Sequence, residues 1–307
     1  MYLPEGRRHD LACSKFDKIH SFSAQSMTTV VFAVFTGIIV LLAGSLPWGA
    51  LLAAANMRIA PVAPWAILPM AAYLFCYWKF VGGRWGSKST ANLRRANLRA
   101  NSLSADLWGA SLAAGMLGFA AIVAMLILMS RLVNLPGSAA LTAPPGMPPI
   151  TFFVLLVMSS IVAGITEEAA FRGYMQGPIE RGYGLVAAIL VNGTAFGLLH
   201  FPNHPTEVLM MLPYYIAVAA VYSGLTWATN SILPALVLHS GGDVWSLGRL
   251  WLSGRPEWQL QSEPVAVIWQ TGVDEGFVIS AVVFVALAAL TAWAYAGVRR
   301  LRSQQHE

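Results

Sequence analysis

Residues 150–178 read ITFFVLLVMSSIVAGITEEAAFRGYMQGP. The apolar run opens with no charge at all and then continues through Glu167, Glu168 and Arg172 to a Pro at 178. A helix needs about 20 apolar residues to cross the hydrocarbon of a bilayer, so this stretch has spanning length only if it takes those three ionisable groups with it. Charge within hydrocarbon is costly, and it marks function by default. The stretch therefore reads two ways at once: a membrane-spanning helix, and the carrier of a chemical site.

The rest of the chain agrees with a membrane. Of 307 residues 57% are hydrophobic and 11% are charged, whereas soluble domains carry about 25% charged residues. That excludes a soluble enzyme, a disordered chain and a disulfide-stapled secreted domain. Cys13 and Cys76 fall in a polar tail and an apolar run and imply no disulfide framework. Apolar runs fall at 28–57, 61–81, 107–130, 150–178, 184–200, 207–229, 234–252 and 276–298. The expected fold is thus all-α and polytopic, with about eight transmembrane helices around an intramembrane cavity. Its parts are a polar tail at 1–27, transmembrane helices at 28–149 with a basic loop at 82–106, a core at 150–252, a loop at 253–275, and a last helix with a basic tail at 276–307. Residues 1–27 contain no short apolar stretch with a small-residue cleavage site.

Eight spans put both termini on one side. Arg7, Arg8, Lys15 and Lys18 lie in the N-terminal tail. Arg84, Lys88, Arg94, Arg95 and Arg99 follow the second run, and Arg299, Arg300 and Arg302 end the chain. The opposite loops hold only Arg58, Arg131, Arg249 and Arg255. Basic residues favour the cytoplasmic side, so both termini are expected there. The formal charge of +5 reads as this topology signal, and nucleic acid is not an expected partner. The lipid bilayer is.

Few ionisable groups lie within the spans, and they form three clusters. In the first, Glu168 and Arg172 are i,i+4 neighbours able to pair, while Glu167 lies about 100° around the helix. One carboxylate is then fixed and the other left free to act as a general base; the plainer reading is an ion pair that ties two helices. In the second, Phe196 lies one turn before His200 and can wall a pocket beside its imidazole. Gly193 and Gly197 form a G-x-x-x-G that admits a close helix neighbour. A helix-end histidine at the interface is the plainer reading here. His200 and His204 also have metal-pair spacing, but Pro202 interrupts the helix between them. In the third, His239 and Asp243 share a face across Gly241 and Gly242, where a packing glycine pair with an incidental hydrogen bond is the alternative. At 1.5 Å per residue, Glu167, His200 and His239 fall at about 16, 25 and 8 Å from span ends, so the clusters meet only where helices tilt or break.

E-E-x-x-x-R, then F-x-x-x-H, then H-x-x-x-N/D, all on apolar spans, resembles the CPBP family, the CAAX prenyl protease and bacteriocin-processing group, also called the ABI domain. The likeness covers about 150–252. It implies an intramembrane endopeptidase that cleaves a membrane-associated protein or peptide. Glu167 would activate water with His200 as its partner, His239 and residue 243 would stabilise the oxyanion, and Glu168, Arg172 and Phe196 would support. The prenyl endopeptidases typically end the third motif in Asn, where this chain has Asp243. An ionised Asp cannot donate to an oxyanion. Either Asp243 is protonated, or it ligates a metal: His200, His239 and Asp243 make a two-histidine, one-carboxylate set suited to one zinc ion.

Other protease classes fit less well. There is no H-E-x-x-H; Ser240 stands where an aspartyl G-x-G-D needs Gly, and Val221 where a rhomboid G-x-S-G does. Two other functions use the same residues: a transporter or proton relay, which would show inverted repeats, and a non-catalytic immunity or scaffold relative.

Overall fold

A computed structural model describes the backbone of residues 6–200, 205–261 and 265–305, with side chains from residue 27 onward except those of 53 and 205. Residues 202 and 204, and the side chains of His9, Cys13, His20 and His306, lie outside the described set. The described residues are mostly helical and contain no strand.

Helix α1 is Gly6–Ala50, extended by a π-helical turn at Leu51–Asn56. Next come α2 (Ile67–Val81), the short α3 (Ala91–Leu98) and α4 (Ala105–Leu132), which Ser104 caps by accepting the Leu107 N–H. Helix α5 (Pro149–Glu167) runs directly into a π-helical segment, Glu168–Met175, and on into α6 (Gln176–His200). α7 (Pro205–Thr229), α8 (Leu233–Ser253) and α9 (Glu275–Gln304) complete the bundle. Asp274 caps α9 by accepting the Phe277 N–H at 2.8 Å.

Each of the eight expected runs contains a helix, but among the described residues five stretches are long and apolar enough to cross a membrane: Met27–Ile59, Ala105–Leu132, Pro149–His200, Thr206–Thr229 and Glu275–Gln304. The differences have physical reasons. α2 has 15 residues, about 22 Å at 1.5 Å each, short of a 30 Å hydrocarbon core. The fourth and fifth runs form one 52-residue stretch, broken only at Gly184, whose φ of 83° and ψ of 172° a side chain would resist. α8 has spanning length, but Ser240, Asp243 and Arg249 dilute its apolarity.

The chain is an integral membrane protein. Along α9, Val278, Ile279, Val282, Val285 and Trp293 are at least half exposed, as are Val31, Phe32, Phe35 and Ile39 on α1. Apolar faces of this extent are unfavourable in water and natural in lipid. Inside, the π segment lies at the centre: its Phe171 and Met175, with Ile179 of α6, are buried in one core with Met211 and Leu225 of α7. α4 packs along α9, α6 along α7 and α5 along α8. The last pairing puts the first and third clusters side by side.

Candidate active site

The close approach of α5 and α8 depends on Gly164, one turn before the paired glutamates. A Cβ there would overlap Ser240 Oγ and sit 3.1 Å from Ser240 N and 3.2 Å from Leu236 O. Only glycine lets the α8 backbone come this near, and that approach carries His239 onto the carboxylates. His239 Nδ1–H donates to Glu168 Oε1 at 2.7 Å. The same Glu168 oxygen lies 3.2 Å from Arg172 Nη1, with both side chains fully buried. The expected Glu168/Arg172 pair therefore forms, and it also holds an imidazole 71 positions away in sequence.

Arg172 is held by rings as well as by charge. Its guanidinium lies 5.7, 5.6 and 4.9 Å from the ring centres of Phe171, Phe196 and Tyr222, within cation–π range. None of its side-chain nitrogens makes a hydrogen bond. Helical periodicity is altered at this point, since 168–175 is π-helical; such segments often occur at functional sites.

Beyond this support stands the free carboxylate. Glu167 Oε2 has no hydrogen-bond partner and lies 3.6 Å from His239 Nε2. Asp243 Oδ2 lies 3.7 Å from the same nitrogen. The side chains of Glu167 and Asp243 are 19% and 32% exposed, whereas Glu168 is sealed. One imidazole thus has a buried side, fixed by Glu168, and an open side facing two carboxylates.

His200 is placed differently. It is exposed at the end of α6, and its Nδ1–H donates to Phe196 O at 2.9 Å. Phe196 stands between the two histidines, with ring centres 4.4 Å from His200 and 6.3 Å from His239. The G-x-x-x-G of α6 meets α7 as its spacing suggests: Gly193 abuts the Ile216 backbone and Gly197 abuts Tyr215.

Three residues that the motifs do not contain complete the surroundings. Tyr222 stacks flat on His239, at 5.0 Å and 8°. Tyr215 lies against His200 at 5.0 Å. Glu257, on the loop after α8, accepts hydrogen bonds from Tyr214 and from Ser246 at 3.2 and 2.6 Å. The tyrosines lie seven positions apart, a helical repeat visible in the sequence; nothing in the loop's pattern marks Glu257.

Among the described residues, no group of three or more His, Cys, Asp or Glu is arranged to hold a metal ion. The zinc set expected of His200, His239 and Asp243 is not assembled, because Phe196 stands between the two histidines. The residues do not fit the ion as placed.

No curated protein and no solved structure matches the chain. Residues 149–245 match the family model described as type II CAAX prenyl endopeptidase Rce1-like. That interval runs from the start of α5 past Asp243 and includes Glu167, Glu168, Arg172, Phe196, His200 and His239. The segment that carries every candidate site residue is the one that matches this family model.

Proposed function

We propose that this protein is a CAAX-type intramembrane endopeptidase that uses Glu167 as general base. The single observation that carries the reading is the two-sided environment of His239. Its Nδ1–H is fixed on the buried Glu168/Arg172 pair, and its Nε2 faces the largely buried Glu167 carboxylate, whose Oε2 has no hydrogen-bond partner, at 3.6 Å. One water can be a common partner of two groups at that separation. Glu167 takes a proton from the water, and the oxygen attacks the scissile carbonyl carbon. In its doubly protonated form, His239 donates Nε2–H to the developing oxyanion. As the C–N bond breaks, Glu167 returns the proton to the leaving nitrogen.

Asp243 serves this scheme through His239 and not as an oxyanion donor. As a carboxylate it accepts only, and 3.7 Å from Nε2 it favours the charged imidazole. His200, edge-on to Phe196 and tilted against Tyr215, lines the rim of the site, where its Nε2 is available to substrate. The substrate class is a membrane-associated protein or peptide. Both termini are cytoplasmic in this reading, as the distribution of Lys and Arg implies.

Glu167→Gln keeps the size and removes the base. Cleavage of a membrane-tethered peptide reporter should fall by about 10²–10⁴-fold, the usual contribution of a positioned general base, with an unchanged unfolding midpoint. Full cleavage by that variant rejects the role of Glu167, and retention of a cellular phenotype without cleavage favours a non-catalytic relative.

A further inference from the structure

The clusters discussed so far leave one group of charges unused. At the bundle end near the turn between α7 and α8, a cavity of about 520 Å³ opens among Asn92, Arg95, Arg99, Asn101, Glu180 and Arg181. No residue of the His239 cluster lines it. Its lining holds three arginines against a single glutamate, in a protein that has few charges.

The site is built rather than merely charged. The Arg99 side chain is 10% exposed and pairs with Glu180 at 3.2 Å. Its Nη2 donates to Arg172 O at 3.0 Å, which anchors it to the π segment. Its buried Nε has no hydrogen-bond partner, so the guanidinium keeps an unused donor. Arg99 holds this pose on a left-handed backbone, φ 52°, and its carbonyl accepts the Ile232 N–H at 3.1 Å. Burial, aided by the neighbouring Arg181 and Arg302, holds its pKa below the ordinary arginine value, with Glu180 opposing. A second anion would relieve that excess. Arg95 and Arg181 are exposed at the same mouth and free to close on a ligand.

We infer that this cavity binds a phosphate group, and that its source is the headgroup of an anionic phospholipid. Guanidinium forks match phosphate oxygens bidentately, and a cavity of this volume accommodates a small polar headgroup. The lipid source follows from the setting. Arg299 lies over the Trp227 ring at 4.3 Å and Arg302 donates to the Trp227 carbonyl, an aromatic and basic pairing typical of the membrane–water interface. Leu93 and Tyr183, close in sequence to lining residues, are exposed, and acyl chains can lie against them. Basic pockets between transmembrane helices recognise headgroups in this way.

The test uses the full-length protein in neutral detergent and follows its unfolding midpoint. The probes are phosphatidylglycerol, phosphatidylcholine and inorganic phosphate, each added to wild type and to the R95Q/R181Q variant, whose altered side chains are exposed. Phosphatidylglycerol should raise the wild-type midpoint saturably while phosphatidylcholine does not. The apparent affinity of the variant should be on the order of 30-fold weaker, about fivefold per removed charge. Saturable stabilisation by inorganic phosphate at comparable concentration, lost in the variant, would keep the phosphate site and overturn the lipid source. Equal stabilisation of wild type and variant by phosphatidylglycerol, or no stabilisation by any phosphate probe, overturns the inference altogether.

Discussion

Arg172→Met tests the buried support under His239. Arg172 and Glu168 are fully buried and 3.2 Å apart, so neither charge has water to fall back on. Removing the guanidinium leaves the Glu168 carboxylate with His239 as its remaining close partner, at 2.7 Å. Breaking a buried pair from one side costs about 3–5 kcal/mol. The three ring contacts of Arg172 would each contribute about 0.5–2 kcal/mol as cation–π interactions, but the methionine recovers part of this by packing against the same rings. A net loss of about 4 kcal/mol is expected. At roughly 2–4 °C per kcal/mol, the unfolding midpoint falls by about 10 °C. Adding Glu168→Gln to that variant removes the stranded charge and should recover at least half of the loss. Cleavage should not recover with it, because a neutral amide fixes the His239 imidazole less firmly. The assay is thermal unfolding of wild type, R172M and the double variant in one detergent, paired with reporter cleavage. An R172M midpoint within about 2 °C of wild type, or a double variant no more stable than R172M, refutes the account of Arg172 as the counter-charge.

Gly164→Ala should cost about 1–3 kcal/mol by overpacking and depress cleavage, because α8 must move away; adding Ser240→Gly should recover stability, and no recovery would show that the contact is not limiting. Chelation should leave cleavage intact and the purified protein should lack stoichiometric zinc, since His200 stands apart from His239 across Phe196; loss of cleavage restored by zinc reverses this. Outside the spans, Asp274 accepts from Arg131 at 2.6 Å and from the Phe277 N–H, and these bonds hold its carboxyl below the ordinary carboxylate range. A lowered folded-state pKa gives stability that is complete above about pH 4 and is lost as pH falls through the folded value. Unfolding midpoints of wild type should therefore decline in that acid range more than those of Asp274→Asn, and coincident acid limbs would dismiss the pair.

Some of this site can be read along one helix. The unequal lot of two adjacent carboxylates follows from helical angles alone: Glu168 faces Arg172 one turn on, and Glu167 is left without a local partner. In the structure that becomes a sealed Glu168 and a 19% exposed Glu167. The polytopic all-α class is legible for a similar reason, because apolar run length measures the bilayer directly. The number of full spans is less so. Run length does not reveal that α5 and α6 continue through a π segment, nor that α2 stops at 15 residues.

What spacing along the chain cannot supply is the choice of partners between helices. The Glu168–His239 bond joins residues 71 apart, and no local pattern distinguishes it from a bond between His200 and either glutamate. Depth along straight helices brings Glu167 and His239 together only where helices tilt or break. The missing factor is lateral closeness, and it comes from an inconspicuous residue, Gly164, whose absent side chain admits the α8 backbone. The motif glycines Gly241 and Gly242 are less crowded: a Cβ at Gly241 meets nothing within 4 Å, and one at Gly242 meets its first neighbour at 3.7 Å. Packing at this site is therefore tight behind His239 and loose on the Asp243 side. In the mechanism proposed above, a peptide chain enters from the loose side to reach Glu167 while the rigid backing keeps the imidazole in place.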